Sequence, residues 1–201
     1  MAKPTDIRVA AAELFFLPVE TRVPLKFGPE TLTHVTCARV RLTVRLANGS
    51  TATGWGETPL SVQWVWPSAV PYEPRHDSLK QFCIRLAKAW ATFDALGHPL
   101  ELGHDFQQTE LPRLLDTFNA YCPAVEPMPW LAALVCCSPF DIARPDARGP
   151  ALRNKIGERL GRGGMAVSWH ADSSLEDYSS IAVLNLTLPH KGGGRGGGGK
   201  G

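Results

Sequence analysis

No stretch of this chain approaches the roughly 20 consecutive apolar residues that a helix needs to cross a bilayer. That excludes a membrane-spanning helix. The opening MAKPTDIRVAAAELFFLPVE has no uninterrupted apolar segment ahead of a small-residue cleavage pattern, because Asp6, Arg8 and Glu13 break it. It reads as a strand, and a cytoplasmic location is expected. The five cysteines, Cys37, Cys83, Cys122, Cys136 and Cys137, are odd in number and contain no CxxC pair. Buried free thiols are therefore expected instead of a disulfide framework or a zinc site. Charge of either sign is never concentrated: 21 Lys and Arg face 19 Asp and Glu, for a net +2, so no nucleic-acid surface is implied. The glycine-rich end, Lys191 to Gly201, carries Lys191, Arg195 and Lys200 but no aromatic residue on which a base could stack. It cannot bury anything and is expected to be a disordered tail.

What is present starts with a hairpin. In VRLTVRLANGSTATGWGE, Val40, Leu42, Val44 and Leu46 alternate with Arg39, Arg41, Thr43 and Arg45, which puts an apolar row on one face and a basic, solvated row on the other. Asn48-Gly49 tolerates the positive backbone angles of a tight turn, and Thr51, Thr53 and Trp55 resume the alternation. Gly54 and Gly56 let the backbone bend or approach something closely, and Thr58-Pro59 is expected to stop the strand. Upstream, Ile7, Val9, Ala11, Glu13 and Phe15 suggest a first strand ended by Pro18, with a polar loop running through Val23 to Pro29.

From Asp77 the period changes. Leu79, Phe82, Cys83, Leu86, Ala87 and Trp90 follow helical spacing, with Asp77 or Ser78 able to cap the first turn. Gly97-His98-Pro99 interrupts it. Leu111, Leu114, Leu115 and Phe118 mark a second helix, with Thr109 as its cap and Pro112 in its first turn. His98, Glu101, His104 and Asp105 have the composition of a metal site, but the two histidines lack i, i+4 helical spacing and the group reads as a solvated connection. A third helix, Trp130 to Ile142, is apolar nearly all round and needs cover on most sides. Strands followed by helices give an α+β fold: a three-stranded antiparallel sheet packed on a helical bundle, followed by an irregular C-terminal segment. The expected organisation is a domain over 1–149, an unassigned segment over 150–190 in which Ile181 to Leu188 is the one candidate strand, and the tail 191–201.

Four elements in order, Val23-Pro24-Leu25-Lys26-Phe27-Gly28, the Gly54-Trp55-Gly56-Glu57 hairpin end, Ser138-Pro139-Phe140-Asp141-Ile142-Ala143, and Asp146 with Gly149, resemble the enolase superfamily, in its mandelate racemase and muconate-lactonizing group. The resemblance covers roughly residues 6 to 149 and implies the N-terminal capping domain. It implies a reaction in which a proton is removed next to a carboxylate, with Mg²⁺ and the base supplied by a (β/α) barrel. A barrel takes at least roughly 200 residues, whereas only about fifty follow Gly149, without a Lys-x-Lys or a spaced acidic series. Pro145, inside the apolar helix, is a further departure from the pattern and is expected to kink it. The chain is therefore expected to be a truncated capping domain, inactive alone, that binds no metal or cofactor itself and has no catalytic residue of its own. Its partner would be the missing barrel domain or a barrel-containing subunit, with a small carboxylate as substrate.

The resemblance implies two substrate-facing loops. Lys26, Phe27 and Gly28 fall in the first, where Lys26 can offer an ammonium to a carboxylate. Glu57, Thr58, Trp64 and Trp66 fall in the second, where the tryptophans can wall out water. Glu57 is read as a structural carboxylate, and Asp141 and Asp146 as caps or ion-pair partners. The alternative is an interaction module that docks through the apolar Trp130 to Ile142 helix and the Trp64/Trp66 loop.

Overall fold

A computed structural model of the chain describes residues 3–27, 30–121, 126–147 and 184–187. The elements are β1 (Ile7–Phe27), β2 (Glu30–Leu46), β3 (Thr51–Pro59), α1 (Val62–Val65), α2 (Tyr72–Thr92), α3 (Pro99–Tyr121), α4 (Trp130–Ala147) and β4 (Leu184–Thr187). The architecture is α+β, with an antiparallel sheet in the order β3-β2-β1-β4. The sheet thus has a fourth strand beyond the three expected. It lies within the candidate strand Ile181 to Leu188 and pairs with Ala11 to Leu14 of β1. The expected tail 191–201 and most of 150–190 lie outside the described residues.

The hairpin forms as its alternation predicts: Val40, Leu42 and Val44 are fully buried, and β2 pairs with β3 from Cys37↔Pro59 to Arg45↔Thr51. Its turn is not the two-residue kind. Only Gly49 has a positive φ, 85°, and the Gly49 N–H donates to Leu46 O while the Leu46 N–H donates to Ser50 O. This is a three-residue loop closed by a glycine in the left-handed region, and Asn48 Oδ1 braces it by accepting from the Ser50 N–H and hydroxyl.

β1 departs further from its reading. An irregularity between Val9 and Ala11 shifts the phase, so Ile7 and Val9 share the core face with Ala12 and Leu14, while Ala11, Glu13 and Phe15 point the other way. Pro18 does not end the strand; it pairs with Thr36, and β1 continues to Phe27. The ladder's alternation turns the Pro18 nitrogen away from β2, so no hydrogen bond of the β1–β2 ladder is lost. The expected loop is consequently the outer part of a long β1–β2 ribbon. β3 likewise runs through Glu57 and Thr58 to Pro59.

All the long helices start earlier or run longer than their apolar spacing suggests. α2 begins at Tyr72, with Pro71 before it and Pro74 in a first turn whose amides need no helical partner, so Asp77 pairs with Lys80 instead of capping. α3 begins at Pro99. The Leu100 N–H donates to His98 Nδ1 and the His98 N–H to Glu101 Oε2, each at 3.3 Å, a reciprocal cap that moves His98 and Glu101 from a loop to a helix start. Thr109 lies mid-helix, its hydroxyl donating to Asp105 O. α4 runs through both Pro139 and Pro145 to Ala147 without a break.

The core lies between the sheet and the helices. Trp90 stacks on Phe106 at 4.0 Å between centroids, Phe82 meets Phe118 edge-on, and Trp66 and Phe140 are fully enclosed. Cys83, Cys136 and Cys137 lie in the same core as free thiols, and Cys37 is free on the other side of the sheet; Cys122 lies outside the described residues. Burial pushes the Cys136 and Cys137 thiols far up, out of reach of ionisation.

Candidate functional site

Gly54 and Gly56 decide how α4 meets the sheet. A Cβ on Gly54 would collide with the backbone of Ala143 and Ala147, and one on Gly56 with the carbonyl of Pro139. The two glycines therefore serve a close backbone approach, not a bend. Two side-chain contacts fix the register. The Trp55 N–H donates to Asp146 Oδ2 at 2.9 Å, and the Thr58 and Ser138 hydroxyls share a hydrogen bond.

The other side of α4 is anchored to α3 by an almost fully buried arginine. Arg144 Nη2 donates to Asp141 Oδ1 at 2.6 Å, its Nε donates to Pro99 O, and its guanidinium lies 4.4 Å from the Trp90 ring centroid. Gly103 leaves the room for it, since a Cβ there would strike the guanidinium. Gln107 donates to the second Asp141 oxygen. Asp141 therefore has the ion-pairing role read from the sequence, whereas Asp146 is here the acceptor for a strand amide.

With its core face, its sheet contact and its α3 contact occupied, α4 still exposes Trp130, Leu131 and Ile142, each above 40 %. Leu134 and Val135 are half-buried against the core. Trp64, on α1, is 56 % exposed at the end of the chain segment leading from β3. This apolar surface, beside Thr58 and Ser138, is the candidate functional surface.

The expected site residues scatter over it and beyond it. Lys26 is exposed near the tip of the β1–β2 ribbon, which extends past the end of β3 because β3's last residue pairs with Cys37 while β1 and β2 go on pairing to Phe27 and Glu30. The side chain of Phe27 and all of Gly28 lie outside the described residues. Glu57 and Thr58 are adjacent on β3 and so face opposite sides. Glu57 pairs with Arg39 on the outer face, and Thr58 turns to α4. Trp66 is 1 % exposed, its carbonyl accepting from Arg75, so it is a core residue and not a pocket wall. An apolar residue just past the short α1 turn can point either way, and its neighbour in sequence could not show which.

The outer face of the sheet holds Phe15, Leu17 and Cys37, flanked by Val35 and Trp55. Its arginines are not simply solvated: Arg41 pairs with Glu13 and lies over Trp55, and Arg39 pairs with Glu57. Burial, and then the Glu57 carboxylate that accepts its hydrogen bond, push the Cys37 thiol up to about 11. It is a neutral packing group at ordinary pH.

Among the described residues no three His, Cys, Asp or Glu side chains converge as a metal-binding group. The carboxylates nearest the candidate surface are committed elsewhere: Glu57 to Arg39, Asp141 to Arg144 and Gln107, Asp146 to the Trp55 amide. This donor set does not fit Mg²⁺, and no chemical step through a metal follows from these residues. Sequence reasoning missed Ser138 as the partner of Thr58. Both residues stood in quoted motifs, but only the packing of α4 on β3 joins them.

No family model and no curated protein matches the sequence. Among solved structures the fold is similar to members of the enolase superfamily. One is a dipeptide epimerase from Cytophaga hutchinsonii, complexed with Mg and the dipeptide D-Ala-L-Val, at 19% identity and a TM-score of 0.38, over 68% of this chain and 28% of that one. Another is an enolase-superfamily member from Roseovarius nubinhibens ISM, complexed with magnesium, at 16% identity and a TM-score of 0.38, over 73% of this chain and 31% of that one. A third is L-talarate/galactarate dehydratase from Salmonella typhimurium LT2, liganded with Mg and L-lyxarohydroxamate, at 16% identity and a TM-score of 0.40, over 78% of this chain and 34% of that one. This chain spans about a third or less of the length of each.

Proposed function

We propose that this chain is a capping domain of the mandelate racemase and muconate-lactonizing kind, which shapes substrate access and specificity for a (β/α) barrel and is inactive alone. The observation that carries this reading is the division of labour on α4. One side is locked to Gly54 and Gly56 and another to α3 through Arg144, yet Trp130, Leu131 and Ile142 remain outside. Large apolar side chains left exposed after a helix has satisfied its own domain are a surface for another body. The four sequence elements of the resemblance name the barrel as that body.

In the intact enzyme the barrel would supply Mg²⁺ and the base, and the substrate would be a small carboxylate. This chain's share is positional. Lys26 near the ribbon tip, together with its sequence neighbours Phe27 and Gly28, and Thr58 with Trp64 on the β3–α1 segment would line the entrance. Lys26 would contribute a point charge and Trp64 an apolar wall against water. Glu57 holds Arg39, and Trp66 belongs to the core.

The test is calorimetry with Mg²⁺ and α-proton exchange in D₂O on α-hydroxy acids, using this chain alone. Neither binding nor exchange is expected. Micromolar Mg²⁺ affinity together with exchange would overturn the reading. The exposed stripe also favours a second reading, a non-catalytic module that docks on an unrelated protein. The coding DNA downstream separates the two: a barrel with spaced acidic residues, in or out of frame, supports the capping domain, and its absence supports the module.

A further inference from the structure

β3 is the outermost strand of the described sheet, and among the described residues no strand pairs with its other side, where another could add. In an antiparallel ladder successive residues point their N–H and C=O groups alternately toward and away from the neighbour. The Trp55 N–H reaches Asp146, not β2, so the N–H groups of Thr51, Thr53, Trp55 and Glu57 are the outward ones, and the next in the series, Pro59, has none. The outward series is thus blocked at its centre by a carboxylate and at its end by a proline. Thr53 and Glu57 are exposed on either side of the block.

We propose that Asp146 is an edge guard: it ties the end of α4 to β3 and closes the free edge against antiparallel pairing with β3 of a second copy of this chain. Two physical effects act together. The carboxylate occupies the donor that an incoming strand's carbonyl would need, and its charge repels that carbonyl, acceptor against acceptor. The guard depends on the glycines, because only at Gly54 and Gly56 can α4 come close enough for a side chain as short as Asp to reach the strand. A second copy is the fitting occupant, since two identical edges pair around a two-fold axis and each presents the same outward series. The proposal is independent of any barrel.

The first test is amide hydrogen exchange on the full chain. Trp55, although on an edge, should exchange at least about tenfold more slowly than Thr53 and Glu57, as a charge-assisted hydrogen bond would impose. Equal exchange at the three amides overturns the proposal whatever any variant does. The second is self-association by light scattering. Asp146→Ala should raise the association constant by about tenfold or more, and Asp146→Asn, which keeps an acceptor oxygen, by less. Adding Thr53→Pro, which removes an outward N–H without touching the ladder to β2, should reverse the gain, while adding Leu131→Lys should not. An Asp146→Ala protein that associates no more than its parent, or whose gain survives Thr53→Pro, refutes the edge-guard role.

Discussion

The two faces of the sheet are held in opposite ways. On the inner face, fully buried Val40, Leu42 and Val44 meet helices so closely that α4 touches strand backbone at Gly54 and Gly56. On the outer face a small cluster of Phe15, Leu17 and Cys37 is framed by cross-strand ion pairs, Glu13 with Arg41 and Arg39 with Glu57. The inner face depends on shape, since dense packing has no slack and a misplaced atom must displace backbone. The outer face depends on charge partly in water, where long side chains can rearrange at little cost. Substitutions on the inner face should therefore threaten the fold, and those on the outer face should adjust it.

The largest expected effect is at Gly56. Gly56→Val places atoms against the Pro139 carbonyl, which belongs to helix backbone and cannot swing aside, so a loss at or above about 3 kcal/mol is expected. Denaturant titration measures it. Stability within about 1 kcal/mol of the parent would mean that α4 does not approach the strand as described.

The exposed stripe of α4 should behave as neither face does. Leu131→Lys with Ile142→Lys should reduce concentration-dependent association in light scattering while leaving circular dichroism unchanged, because both side chains already lie more than 40 % in solvent. Val135, half-buried against the core, is a poorer choice than its apolar neighbours. Loss of folded signal in the double variant would show that the stripe belongs to the domain's own core.

Arg39→Ala should cost about 1 kcal/mol or less, since the Arg39 and Glu57 side chains are 21% and 37% exposed, and the difference should shrink in added salt. A loss comparable to that at Gly56 would erase the contrast between the faces. The smallest effect is a pH slope. Burial foremost, with the Lys80 charge adding to it, holds the His76 imidazole below its ordinary 6.5. The unfolded chain then takes up a proton before the folded one as pH falls, so this contribution is present above the ordinary value and is lost below it. His76→Gln should flatten the fall in denaturation midpoint between about pH 7 and pH 5. An unaltered slope would place the titrating group elsewhere.

Alternation and helical spacing are local properties, and where one face is buried they are written into the chain. Val40 to Val44, the Leu79 to Trp90 stripe and the α+β order were legible for that reason. Boundaries were less legible. The phase shift at Val9/Ala11 turned Phe15 outward, Pro18 fell where its missing N–H does no harm, and the His98–Glu101 cap uses residues that read equally well as a polar loop. At the candidate surface the sequence supplied residue types and the fold decided their company. Trp64 and Trp66 are equivalent in composition, yet Trp64, on α1, is 56 % exposed, and Trp66, just past it, is 1 % exposed in the core. Gly-Trp-Gly announced a close approach without naming what approaches. That α4 is the neighbour, that Asp146 takes the Trp55 amide, and that Trp130, Leu131 and Ile142 are left over are facts about contacts between residues some 80 to 90 positions apart. Such contacts are settled only when the whole core packs at once, since each requires every other to be in place.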